Sequence, residues 1–411
     1  MPPETVTAPT PHAPGTDEMP LLGIDHVELY VGNAIQAAYW FTHALGFRET
    51  AYAGLETGVR DRSSHVLEQG RVRLVLTAPL LGTSEIARHV AAHGDGVRTI
   101  ALSVPDAEHA YRYAVQHGAH GVREPWEESD EGGSVRMATI ATYGETLHTL
   151  IERDGYKGHF LPGFAARDEG DDAGLFAGID HVVGNVELGR LDEWVGYYER
   201  VFGMTEMIHF TDEDIGTEYS ALMSKVMADG KGRVKFPINE PAEGQRKSQI
   251  EEYLEYYGGP GAQHIALATT DIVATVGELK RRGVRFLETP DSYYEELPGR
   301  IGEIDEDLAD LRRLGILADR DDEGYLLQIF TQTIGDRPTV FLEVIERHGA
   351  RGFGEGNFKA LFEAIEREQE RRGNLRAPAT TASVGSLPSA TSSSATATAP
   401  ATAAAGCWSR R

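Results

Sequence analysis

Three residues of this chain, His181, His264 and Glu343, are of types that together could hold a metal ion. They sit in the short runs GIDHV, QHIAL and FLEVI. Each run reads as a strand, where every second residue shares a face. His264 shares its face with Ala266 and Ala268, small residues that leave room beside an imidazole. Glu343 shares its face with Phe341 and Ile345 and is flanked by Leu342 and Val344. A carboxylate among such neighbours is costly unless a cation or hydrogen bonds compensate. Two imidazoles and one carboxylate on three strands suit a single metal ion. With open coordination positions, that set is the pattern of non-haem Fe(II) oxygenases.

The elements that position the trio occur twice. GIDHV stands at 23–27 and again at 178–182. The helical runs AIQAAYWFTHALGF and LDEWVGYYERVFGM follow, aligning Trp40 with Tyr197, Phe41 with Tyr198 and Gly46 with Gly203. Further on, the stretches beginning GVRTIALS and GAQHIALA align without a gap and pair Asp106 with Asp271 and Gly118 with Gly283. The endings TLHTLIER and TVFLEVIER share Ile-Glu-Arg. On this alignment His181 corresponds to His26, but His264 corresponds to Thr99 and Glu343 to Thr149. A metal is therefore expected in the second copy and not in the first.

Within each copy the order strand, helix, several strands appears twice. This predicts an α+β fold, with sheets curled around a cavity and helices outside. The expected boundaries are a disordered N-terminal tail at 1–20 and a metal-free domain at 21–155. A Gly-, Pro- and Asp-rich linker at 156–175 leads to a catalytic domain at 176–350. Residues 351–374 hold an amphipathic helix, with Phe358, Leu361, Phe362 and Ile365 on one face, Asn357 as N-cap and hinge glycines before it. The Ala/Thr/Ser-rich stretch 375–411 is expected to be disordered.

The bland readings stand beside the metal reading. A histidine at a strand start is more often a core residue, and a buried glutamate is by default salt-bridged. The chain has 15 histidines. His89, His93, His109, His117 and His120 lie in polar helical or loop stretches and are expected to have no ligand role. A net charge of −25 without a basic cluster argues against nucleic acid and anionic membranes as partners. The single cysteine, Cys407, excludes an internal disulfide and points to a reducing compartment. There is no signal-like N-terminus and no run of about 18 apolar residues, so a cytoplasmic location is expected.

Several longer stretches are more specific. GIDHVVGNV, LMSKVMADGKGRVKFPINEP, RKSQIEEYLEYYGGPGAQHIAL, RDDEGYLLQIFTQTIGDRPTVFLEVIER and GFGEGNFKALFEAIE resemble the 4-hydroxyphenylpyruvate dioxygenase family, of the vicinal-oxygen-chelate superfamily. The likeness runs from about residue 21 to 374, FLPGF in the linker included. It implies two tandem domains, each of two βαβββ modules forming a curled open barrel, and a C-terminal lid helix. It implies one Fe(II) per chain on His181, His264 and Glu343. It also implies catalytic polar groups at Ser224, Asn239, Gln249, Gln263 and Gln328, and substrate contacts from Phe330, Phe341, Phe353, Asn357 and Phe358. Strand alternation by itself places Gln328 with Phe330, and Phe341 with Glu343, but leaves the two phenylalanines equally compatible with ordinary core.

The implied reaction takes 4-hydroxyphenylpyruvate and O2 to homogentisate and CO2, a step of tyrosine and phenylalanine catabolism, in a homo-oligomer (dimer or tetramer). The rival readings are a 4-hydroxymandelate synthase, an extradiol ring-cleaving dioxygenase and a non-catalytic ligand-binding resistance protein.

Overall fold

A computed structural model describes residues 17–210, 221–242 and 247–373. The tails expected to be disordered lie outside the described residues except for 17–20, and there Met19 is buried against the core.

The first half opens with β1 (Gly23–Tyr30), α1 (Ala34–Leu45), β2 (Arg48–Ala53), β3 (Arg62–Gln69) and β4 (Val72–Pro79). After α2 (Glu85–His93) the pattern repeats as β5 (Gly96–Ser103), α3 (Ala107–Gln116), β6 (Gly121–Asp130), β7 (Gly133–Ala141) and β8 (Leu147–Glu152). The segment expected to be linker contains a strand, β9 (Ala165–Glu169), which pairs antiparallel with β2. The second half runs β10 (Gly178–Asn185), α4 (Leu191–Phe202), β11 (Thr205–Phe210), β12 (Ala221–Ala228), β13 (Lys235–Ala242), α5 (Gln249–Tyr257) and β14 (Gly261–Ala268). There α6 (Ile272–Arg281) is followed by two further helices, α7 (Asp291–Ile301) and α8 (Leu308–Leu314). The half ends with β15 (Leu317–Arg320), β16 (Tyr325–Phe330), β17 (Phe341–His348) and α9 (Phe358–Arg371). Each half is thus two βαβββ modules joined by one helix.

The first sheet has the order β6-β7-β8-β5-β1-β4-β3-β2-β9, and the second β11-β12-β13-β10-β14-β17-β16-β15. In each, the two GIDHV and IAL strands pair antiparallel at the centre. The repeated letters have local causes. Gly46 and Gly203 end α1 and α4 in the left-handed region, at φ 75° and 63°, which a side chain would strain. Asp106 and Asp271 cap α3 and α6, accepting from His109 N at 2.8 Å and Ala274 N at 2.9 Å. The glutamates of the Ile-Glu-Arg endings serve the same helices: Glu152 accepts from Ala107 N at 3.0 Å and Glu346 from Ile272 N at 2.7 Å.

The halves meet through buried polar and aromatic contacts. His148 of β8 lies 2.8 Å from the Tyr198 hydroxyl of α4, and Tyr143 packs where a side chain on Gly184 would have to stand. Among the described residues no helix is long and apolar enough to cross a membrane.

Candidate metal centre

The metal-ligand geometry starts from strand register. His181 of β10 faces Ala266 of β14, and Ala266 faces Glu343 of β17. The methyl group of Ala266 therefore separates an imidazole from a carboxylate in one row. His264, two residues before Ala266, lies on the same face. Phe330 continues the row opposite Glu343.

Two register breaks complete the arrangement. The β10–β14 pairing skips Asp180 and again skips Gln263. Each break re-aims neighbouring side chains, so that a residue and its successor can meet instead of pointing to opposite faces. His181 Nδ1 accordingly donates to Asp180 Oδ1 at 2.7 Å, and His264 Nδ1 to Gln263 Oε1 at 3.0 Å. Both contacts place a ring proton on Nδ1, so that Nε2 of the neutral imidazole is the ligating nitrogen. The two Nε2 atoms converge on one oxygen, Glu343 Oε2, at 3.2 and 3.3 Å.

All three residues are buried. Burial works against the Glu343 carboxylate, but His181 and His264 outweigh it and hold the carboxyl down at about 2. Burial also opposes charge on His181, yet Glu343 and Asp180 push it upward; at His264 burial wins and the imidazole is pushed down. Glu343 Oε1 is buried with no hydrogen-bond partner. Two lone pairs and a carboxylate around one point, with a free carboxylate oxygen, are the donor set of a divalent transition metal, so the residues fit one.

Behind His181, Asp180 receives two hydrogen bonds from Arg347, both at 2.9 Å, and a contact from Lys235 at 3.0 Å. Burial opposes its charge, but His181 and Arg347 hold its carboxyl well below the usual range. Arg347 also donates to the Gly352 carbonyl at 2.6 Å, on the segment leading to α9. The first half carries the same scaffold: Asp25 takes His26 Nδ1 at 2.7 Å and Arg153 at 2.7 and 2.9 Å. There, however, Thr149 bonds to Thr139 at 3.2 Å and Thr99 donates to Glu28 at 3.4 Å. Among the described residues, the clusters of three potential ligands do not include His26.

The trio opens on a cavity of about 580 Å³. Of the residues expected at the site, Ser224, Asn239, Gln249, Gln263, Gln328, Phe330, Phe341, Phe353 and Phe358 line it together with the trio. Phe341 stacks on His264 at 4.8 Å, and Phe353 meets the His181 ring edge-on at 5.0 Å. Asn357 does not line the cavity. It stands at the N-cap position of α9, but its side chain caps nothing there. Its Oδ1 instead accepts from the Tyr293 hydroxyl at 2.6 Å and from Arg300 at 3.2 Å, moorings supplied by the inserted α7.

Lining residues outside the expected set include Val183, Leu222, Val226 and Pro237. The period-two spacing from His181, Ser224 and Asn239 marks each of them. Leu361 and Phe362, from the amphipathic face of α9, close the cavity beside Phe358. His89 and His93, expected in a polar helical stretch with no ligand role, are both buried.

Comparison with known proteins agrees with this geometry. The model of the glyoxalase/bleomycin resistance protein/dioxygenase superfamily matches residues 23–142 and 178–329, once in each half. A 4-hydroxyphenylpyruvate dioxygenase of Dictyostelium discoideum is 49% identical over 366 residues, covering 86% of this chain and 100% of that protein. One of Aspergillus fumigatus is 47% identical over 378 residues, covering 86% and 94%. Among solved structures, a mutant of 4-hydroxymandelate synthase from Streptomyces coelicolor superposes with a TM-score of 0.77 at 36% identity, over 85% of this chain and 100% of that one. With this identity along nearly the whole of its relatives, and with the buried His-His-Glu group in the second half, the chain belongs to the 4-hydroxyphenylpyruvate dioxygenase family of that superfamily.

Proposed function

We propose that the chain is an Fe(II)-dependent dioxygenase that converts 4-hydroxyphenylpyruvate and O2 to homogentisate and CO2. The observation that carries this reading is the buried His181–His264–Glu343 group opening on a cavity walled by phenyl rings and amides. Iron bound there would supply the chemistry that joins O2 to a 2-oxo acid, with positions left open beyond the three protein ligands.

The chain's own residues have three tasks. His181, His264 and Glu343 hold the metal, with Asp180 and Gln263 fixing the two imidazole tautomers. Phe330, Phe341, Phe353 and Phe358 supply apolar walls for an aromatic ring, while Ser224, Asn239, Gln249 and Gln328 offer hydrogen bonds that orient a phenol. Phe358, Leu361 and Phe362 of α9 cover the cavity and exclude water. The oxo acid's own decarboxylation would supply the electrons that O2 reduction needs.

The similarity to a 4-hydroxymandelate synthase supports a second reading, in which the benzylic carbon rather than the ring is hydroxylated. Both products contain the same atoms, so O2 uptake and CO2 release do not separate the two. Chromatography of the product formed from 4-hydroxyphenylpyruvate, Fe(II) and O2 does. Homogentisate is expected; 4-hydroxymandelate as sole product would overturn the proposal.

A further inference from the structure

Helix α2 carries a second cluster with the chemistry of a metal site. His89 and His93 are four residues apart and so share a helix face, and they are 2% and 7% exposed. Glu145, from the turn between β7 and β8, lays its carboxylate against both. One oxygen, Oε2, lies 2.9 Å from His89 Nδ1 and 3.4 Å from His93 Nε2.

The tautomer of His93 is fixed from outside. Its Nδ1 lies 2.6 Å from the Tyr257 carbonyl, which can only accept, so the ring proton is on Nδ1. Nε2 is then the nitrogen facing the carboxylate oxygen, and it is buried with no hydrogen-bond partner. A cation between the two would satisfy both. His89 turns Nδ1 to the same oxygen and leaves Nε2 buried with no hydrogen-bond partner, so on binding a cation through Nδ1 its ring proton would move to Nε2.

The metal centre of the second half provides an internal standard. There one carboxylate oxygen lies 3.2 and 3.3 Å from two imidazole nitrogens, and the other nitrogen of each ring is tied to an outside acceptor. The α2 cluster repeats the convergence on one oxygen, and for His93 the outside tie as well. It differs in two respects. Glu145 is half-exposed, which gives an ion and its waters access from solvent. Arg98 stands 3.6 Å from the same oxygen while also holding the Glu145 carbonyl and, at 2.5 Å, Glu85. This guanidinium offsets part of the carboxylate charge, so binding should be weaker than at the buried centre.

We propose that His89, His93 and Glu145 form a second metal site, taking a divalent ion of the zinc class through two imidazoles and one carboxylate, with remaining positions filled by water. The ion would staple α2 to the β7–β8 turn. Through His93 and the Tyr257 carbonyl it would also brace the end of α5, whose first residue, Gln249, lines the catalytic cavity.

The test uses the iron-loaded protein, equilibrated with Zn2+, freed of loose ions and analysed for both metals by mass spectrometry. Wild type should retain one iron and one zinc per chain. Glu145→Ala and His89→Ala should keep the iron but bind zinc at least about tenfold more weakly. Zinc should raise the melting temperature of wild type and not of Glu145→Ala, whose altered side chain is half-exposed and tolerates truncation. Failure of wild type to retain zinc beside its iron, displacement of the iron instead, or undiminished zinc binding by Glu145→Ala would overturn the proposal.

Discussion

The duplicated scaffold allows the support of the metal to be separated from the support of the fold. Replacing Asp180 by Asn keeps the size of the side chain and an oxygen for His181 Nδ1, but removes the charge facing Arg347 at 2.9 Å and Lys235 at 3.0 Å. Two part-buried cations then lack their charged partner, a loss somewhat below the about 3–5 kcal/mol that breaking a fully buried pair costs. His181 is also less firmly held and less basic, and loss of such a partner weakens metal binding about 10–100-fold. That corresponds to about 1.4–2.8 kcal/mol.

Asp25→Asn is the matched control, because Asp25 holds Arg153 at 2.7 and 2.9 Å and Arg73 at 3.5 Å around a His26 that belongs to no ligand cluster. Denaturant unfolding of the metal-free proteins should show comparable losses for the two variants. Chelator competition should show weakened iron binding for Asp180→Asn alone. Equal weakening in Asp25→Asn, or unchanged iron affinity in Asp180→Asn, would refute the reasoning.

Two further outcomes follow from single positions. Burial pushes His148 down to about 4, whereas the unfolded imidazole titrates at about 6.5. Its contribution to stability is thus complete above pH 6.5 and lost as pH falls toward 4, a change of about 3 kcal/mol that unfolding measured against pH should lose in His148→Gln. Gly354 has φ +81° and a methyl group there would stand 2.2 Å from Gln328 Nε2. Gly354→Ala should cost about 1–3 kcal/mol of stability. By displacing Gln328 it should lower kcat/KM about 10–100-fold with iron content unchanged, as steady-state kinetics and metal analysis would show.

Much of the site was legible because its residues repeat with strand periods and because the chain carries its own control. The change from His26–Thr99–Thr149 to His181–His264–Glu343 marks the metal-binding half without any reference to structure. Alternation also explains why Ala266 is small, since it lies between His181 and Glu343. What escaped depends on pairing between distant segments. The register breaks at Asp180 and Gln263 have no local letter code, so the ties that set the imidazole tautomers could not be read. β9 forms only because β2 offers an edge, and its sequence by itself is polar. Asn357 has the chemistry of a cap, but Tyr293 and Arg300, more than fifty residues away, claim its side chain. The polar helix carrying His89 and His93 is covered by Tyr30 and Tyr257, a burial visible only once the halves are packed together.

The central claim is that one sequence, GIDHV, binds catalytic iron in one half and serves as scaffold in the other. Iron content and turnover of 4-hydroxyphenylpyruvate, measured side by side for His181→Ala and His26→Ala, test it most directly. His181→Ala should lose both, while His26→Ala should keep both. Retention of iron and activity by His181→Ala, or their loss in a folded His26→Ala, would contradict it.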